Sequence, residues 1–431
     1  IRVVVPVDAP RAPVAGLILA GAGLGLLAAG VWGLWRRGHG LPMNAFPPPD
    51  LVTTGAYALV PHPIYVGFCL ACGGAALATG SAGGLYVATP VAALGCVALA
   101  VGHERRSLLA RFGRLPRPLL GPGRLGPAAR VLRLDQAWRA LLDATGRLAN
   151  AWASVRVGRL RVMNHVVFSG LAGGVGAAIV VLAAGAAYSC WVAGLMLAGA
   201  VGAAMIGQLL VGSSSRLSRP FGYFGGLAAI GVLGGLAWAL RPELSVVLAA
   251  FCLAAPWAQA IGRLRCLIQG CCHGAPAPAA SGIVVTNTHS RACGMAGLCG
   301  RPIYPTQLYS ILGNLALGPA LLVGWAVGAP QTLIMGGYLV GAGAIRFVEE
   351  AYRGEPLTRI VAGLHVYQWF AVGLYVAGLL VLLVPAPATP PLTGDAAGAA
   401  AALGAVFFVV CGVAMSVDAP ESSARFSRLS G

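Results

Sequence analysis

The chain has 431 residues, 58% of them hydrophobic and only 10% charged, and its mean hydropathy is +0.80. Soluble domains average roughly 45–50% apolar and about 25% charged residues, so this composition excludes a water-solvated globule. The 29 basic residues, all arginine, outnumber 12 acidic ones for a formal charge of +17. In a lipid-embedded chain such an excess marks cytoplasmic flanks and contact with anionic headgroups, and it makes no case for nucleic acid.

The apolar residues fall in runs near the roughly 20 residues that span a bilayer. The first, from about 15 to 35, closes on Arg36-Arg37, a cytoplasmic flank. No small-residue cleavage site follows it, so no signal peptide is expected. Two shorter runs at about 65–80 and 84–101 are suited to a helical hairpin.

Residues 103–161 then hold thirteen arginines and are broken by Pro116, Pro118, Pro122 and Pro127. From 128 to 162 the pattern is amphipathic, with Leu132, Trp138, Leu142, Leu148 and Trp152 among arginines. We read this stretch as a cytoplasmic linker, partly an interfacial helix on anionic lipid.

Seven spans are expected at about 166–187, 190–212, 224–240, 244–262, 308–328, 331–348 and 364–384, with one more at 396–417 and a frayed tail from Asp418. The fold class is therefore all-α, a polytopic integral membrane protein with about 10–11 transmembrane helices. Its expected divisions are 1–113, 114–162, 163–385 and 386–431.

One long polar interval, from about 270 to 305, interrupts the second half, and loops of this length are often functional. It carries Cys271, Cys272, Cys293 and Cys299, with Cys266 just before it and His273 and His289 inside. Three readings stand for these cysteines: zinc ligands, disulfides, or packing residues. Cys293 and Cys299 enclose a small Gly-rich loop and make one plausible pair, and no metal is assigned. The six cysteines elsewhere read as small apolar residues.

Arginines cluster near the span ends of this half. Arg263 lies in the block Gly262–Gly274, and Arg346 and Glu350 are four apart, a helical pairing distance. Arg353 is two turns from Arg346 on the same face. Guanidinium forks match phosphate oxygens. Several beside an apolar cavity would hold a phospholipid headgroup while the acyl chains stay in lipid.

Four elements in this order resemble the prolipoprotein diacylglyceryl transferase family over residues 163–385. They are Gly225-Gly226, the Gly-Arg signature Gly262–Gly274, Pro305-x-Gln307-Leu308-Tyr309, and Arg346-Phe347 with Glu350, Arg353 and then Gln368. The resemblance implies transfer of the diacylglyceryl group of phosphatidylglycerol to the cysteine thiol of a prolipoprotein signal peptide, in the bacterial cytoplasmic membrane, with no cofactor for this part. By it, Arg263 and Arg346 sit on the phosphate, Glu350 orients Arg346, and Gln307, Tyr309 and Gln368 line the cavity. Gly225, Gly226, Cys266, Gly274 and Arg353 complete the substrate site. Cys266 stands where the family usually has asparagine. Phe224 and Tyr304 stand where it has histidines, which leaves His273 or His289 to activate the thiol.

The first half carries Thr53-Thr54-Gly55, His62-Pro63-x-Tyr65-x-Gly67 and His103-Glu104, closing on Phe112-Gly113. Over residues 14–113 this resembles the isoprenylcysteine carboxyl methyltransferase family. The resemblance implies S-adenosylmethionine near the membrane surface, lined by His62, Tyr65, Gly67 and Glu104. Three functions are thus in view: diacylglyceryl transfer, membrane methyl transfer, and non-catalytic lipid binding.

Overall fold

The structure is a computed structural model, and it describes residues 8–42, 46–113, 134–211, 223–354, 360–392 and 394–422. The described side chains exclude 134–135, 206–211 and 223–224. The part of the basic linker from 114 to 133, the side chain of Phe224 and the tail beyond 422 lie outside what is described.

Among the described residues, eight helices are long and apolar enough to cross a membrane, and three shorter apolar helices accompany them. The protein is an all-α, multi-pass membrane protein. It falls into two compact units, residues 1–140 and 141–431.

The first unit contains α1 (Pro13–Gly38), α2 (Pro63–Thr79) and α3 (Gly84–Phe112). Pro63 opens α2 at a position where its missing N–H costs nothing. Glycines let α1 and α2 touch backbone to backbone. A methyl on Gly67 would lie 2.5 Å from the Gly23 carbonyl oxygen and 2.6 Å from the Leu27 nitrogen. Without a hydrophobic drive between helices in lipid, such close approach is what holds them together. α3 is interrupted by two π-turns, Gly84–Ala88 and Ala100–Glu104. π-turns are rare and often mark functional positions; the second one ends at Glu104.

α4 (Leu134–Ala149) is amphipathic and contains the boundary between the units. The second unit continues with a hairpin, β1 (Ser154–Val157) and β2 (Leu160–Met163), inside the stretch read as linker. α5 (Val166–Ala184), α6 (Ser189–Val211), α7 (Tyr223–Leu240) and α8 (Ser245–Gln269) follow. After the polar loop come α9 (Thr306–Ala326), α10 (Gln331–Ala351), α11 (Val366–Val381) and α12 (Ala397–Ser416).

α8 is the central helix, in contact with α5, α9 and α10. Its core partners include Trp325, Ile334 and Tyr338, each 1% exposed. α12 packs along α5, with Gly412 facing the Cα of Gly170 and the Gly174–Gly404 crossing giving the small-residue contact.

Two expectations need correction. α8 does not end near 262: it runs to Gln269, so Arg263, Arg265 and Cys266 are helical residues. The cause is a cap, since Gly270 in the left-handed conformation (φ 68°) stops the helix there. Nor does the chain fray at Asp418. Val417–Asp418 form β3 against β2, and Arg161 donates Nε and Nη2 to the two Asp418 carboxylate oxygens at 2.9 and 2.7 Å.

Candidate functional sites

The site in the second unit is built from three elements. α8 supplies Arg263, α10 supplies Arg346, Glu349 and Glu350, and Arg353 follows the end of α10. Arg263 Nη2 donates to Glu349 Oε2 at 2.8 Å and its Nε donates to Ser310 Oγ at 3.1 Å. Arg346 donates Nη1 to Glu349 Oε1 at 2.8 Å and pairs through Nη2 with Glu350 Oε2 at 2.9 Å. Arg353 donates Nη1 to Glu350 Oε2 at 3.2 Å and lies 3.9 Å from Glu349. Arg346 also sits over the Tyr367 ring, 5.5 Å from its centroid.

Arg346, Glu349 and Glu350 are buried, the two carboxylates at 1% and 0% side-chain exposure, and Arg263 and Arg353 are half-buried. Three guanidinium groups face two carboxylates, which leaves one positive charge inside the protein. Burying charge is costly unless it is paired and hydrogen-bonded. Each charge in the network has an opposite partner, and the network keeps a surplus suited to an anion. Arg263, at 14% side-chain exposure, is its most open member.

The sequence pattern pointed to Arg263, Arg346, Glu350 and Arg353, and the structure brings all four together. It missed Glu349, which touches all three arginines. Its i,i+3 spacing from Arg346 was the available signal.

Around this network the loop returns. Gln307 donates Nε2 to the Cys271 carbonyl at 2.8 Å, and Thr306 donates Oγ1 to the Cys272 carbonyl at 2.6 Å. Gly274 pairs with Arg353 across a short bridge and lies so close to Tyr304 that no side chain fits. Tyr309 packs edge-on against Tyr352 at 5.7 Å. His273 is 3% exposed, and its Nδ1–H donates to the Gly274 carbonyl at 3.1 Å.

Gln368 holds the start of α11. Its Oε1 accepts from the His365 N–H at 3.0 Å in a capping box at the start of α11, and its Nε2 donates to the Phe347 carbonyl at 3.2 Å. Gly225 and Gly226 lie in the contact of α7 with α6, opposite Gly202 and Gly199. His289 is exposed and stacks on Trp152 at 4.4 Å. Cys293 and Cys299 form a disulfide.

The first unit has a cavity of about 580 Å³, lined among others by Asp50, Tyr57, His62, Tyr65, Glu104 and Arg111. Glu104 is its centre: Tyr65 donates Oη to Oε1 at 2.6 Å, and His62 Nδ1 lies 2.9 Å from Oε2. The His62 and Tyr65 rings stack at 5.8 Å. Burial, and then the Glu104 charge, holds the proton of Tyr57 on well above the usual phenol range. Gly67 is not in this lining; it is the packing glycine of α1 and α2.

The comparisons with known proteins follow the same division. Residues 190–384 match the family described as prolipoprotein diacylglyceryl transferase, and residues 12–113 match the family described as phospholipid methyltransferase. The second match covers the stretch that carries the isoprenylcysteine methyltransferase resemblance. A phosphatidylglycerol–prolipoprotein diacylglyceryl transferase (number 2) of Clostridium perfringens (strain 13 / Type A) is 30% identical over 123 residues. That alignment covers 28% of this chain and 45% of the relative, so the chain spans less than half the length of the relative it matches.

Proposed function

We propose that this protein is a phosphatidylglycerol–prolipoprotein diacylglyceryl transferase acting in the bacterial cytoplasmic membrane. The observation that carries the reading is the buried network of Arg263, Arg346 and Arg353 on Glu349 and Glu350. Its single surplus positive charge seats the phosphodiester of an anionic phospholipid, whose acyl chains remain in the surrounding lipid. The family match over 190–384 supports the same reading.

In the reaction the acceptor cysteine of a prolipoprotein signal peptide attacks the glycerol carbon that carries the phosphate. A sulfur–carbon bond forms, the carbon–oxygen bond to phosphate breaks, and its electron pair leaves with glycerol phosphate. The arginines stabilise the charge that gathers on the departing oxygen. The thiolate is the nucleophile, so a base must take the thiol proton. His273, with Nδ1–H committed to Gly274, offers Nε2 for that step.

The test is transfer of labelled diacylglycerol from phosphatidylglycerol to a lipobox peptide by the purified full-length protein. Label on the peptide cysteine is expected, falling at least about 100-fold in Arg346→Ala, the scale of losing one charge-stabilising group. No label from well-folded protein would overturn the reading.

A second reading concerns the first unit, and the cavity at Glu104 favours it. Its volume lies within the roughly 300–1,000 Å³ of small-molecule sites. Its acidic Asp50 and Glu104 and aromatic Tyr57 and Tyr65 suit a sulfonium cation. We infer that S-adenosylmethionine binds there, where it would supply an electrophilic methyl group. His62 and Tyr65 hold Glu104 in place for it.

A further inference from the structure

Three thiols, Cys266 of the expected substrate site among them, gather beside the arginine network. Cys266 is on the last turn of α8, Gly270 reverses the chain, and Cys271 and Cys272 follow at once. The sulfur atoms of all three lie within 4.8 Å of one another. None is in a disulfide, although Cys293 and Cys299 in the same loop are. Buried cysteines ordinarily act as small apolar fillers, and filling space does not require three sulfurs to converge on one point.

The backbone points the same way. Cys272 has φ 58°, in the left-handed region where a residue with a side chain is strained. Glycine, which fills 63 positions of this chain, would sit there without strain. Strain of this kind persists where the surroundings fix it and the side chain has a task. Here the surroundings do fix it, since Thr306 and Gln307 clamp the Cys272 and Cys271 carbonyls.

Distance is also suitable. A zinc–thiolate bond is about 2.3 Å, which sets two sulfurs on one tetrahedral ion about 3.8 Å apart. The three sulfurs reach that spacing by closing at most about 1 Å, within the range of small side-chain rotations. Soft thiolates select Zn²⁺ or Cu(I) over hard oxygen-seeking cations.

We propose that Cys266, Cys271 and Cys272 form a three-thiolate seat for one thiophilic cation, Zn²⁺ or Cu(I). The ion ties the end of α8 to the turn that Gln307 and Thr306 hold. The proposal stands independently of the transferase reading, because it is tested by metal content and not by lipid transfer.

The experiment uses full-length protein, reduced and purified in detergent without oxygen, loaded with Zn²⁺ or with Cu(I) in separate arms and then desalted. One ion per chain by mass-spectrometric metal analysis is expected in one of the arms, which identifies the ion. In the same sample the three thiols should resist alkylation until a chelator is added, as read by peptide mass spectrometry on the unmutated chain. Cys271→Ser and Cys272→Ser should lose the ion, while Cys190→Ser, at an exposed thiol elsewhere, should keep it. Failure of both ions to bind the unmutated chain would overturn the proposal. So would retention after all three are replaced, or a mass two hydrogens lower across these peptides, which marks a disulfide.

Discussion

At the scale of single residues, the network turns on Glu349. It is 1% exposed and joins Arg263 at 2.8 Å, Arg346 at 2.8 Å and Arg353 at 3.9 Å. Removing one partner of a buried ion pair leaves an uncompensated charge, at about 3–5 kcal/mol. Glu349→Gln leaves three guanidinium groups against one carboxylate. It should lower the melting temperature in detergent further than Glu350→Gln, which removes contacts to two arginines; equal melting of both variants and the parent would contradict this.

His165 makes a second prediction. It is 0% exposed, and its Nδ1 lies 2.8 Å from Ser416 Oγ. Burial, then repulsion from Arg265 and Arg291, pushes its pKa down to about 3. The unfolded chain binds a proton near pH 6.5 and the folded one does not. Folding stability should therefore fall by up to about 1.4 kcal/mol per pH unit as pH drops from about 6.5 towards 3. Thermal unfolding followed across that range should show the fall, and His165→Asn should flatten it.

The sequence carried the arginines and Glu350 because their spacings are helical. It gave no way to tell Gln368 as a cap from Gln368 as a ligand, since both uses need the same amide.

At the scale of elements, packing in lipid depends on how closely backbones approach. In the first unit Gly67 faces Gly23 and Leu27 with no room for a methyl group, whereas Gly73 meets only Thr89 Cγ2 at 3.4 Å. Gly67→Ala must push α1 and α2 apart, and overpacking typically costs about 1–3 kcal/mol. Gly73→Ala needs almost no movement. The first variant should melt earlier than the second, and the reverse order would mean that α1 and α2 are held by something other than this contact.

The helices themselves were legible because apolar runs of this length have few alternatives in a bilayer. Their ends were less so. α8 runs seven residues past its apolar run because its terminus is set by Gly270 and by burial of Arg263 and Arg265 among partners. Hydropathy alone ends the span at about 262, before those arginines. Likewise Asp418 reads as a polar tail until Arg161, 257 residues away in sequence, is seen to hold it.

At the scale of the whole molecule, two units each carry one charged centre of opposite character. Glu104 is bound by His62 and Tyr65 beside a cavity of about 580 Å³ in the first. In the second, arginines exceed carboxylates inside the helix bundle. The centres share no residue, and their family matches do not overlap, at 12–113 and 190–384. The two proposed activities should therefore separate by mutation. Glu104→Gln removes the acidic centre of the first cavity; it should abolish S-adenosylmethionine binding, measured by equilibrium dialysis, while diacylglyceryl transfer stays within about twofold, since sites with no shared partners act independently. Arg346→Ala should do the converse. A loss of both activities in either variant would mean that the units work as one machine, with the lipid product of one centre presented to the other. Loss of neither in Glu104→Gln would remove the first cavity as a cofactor site and leave the first unit as a membrane scaffold for the second.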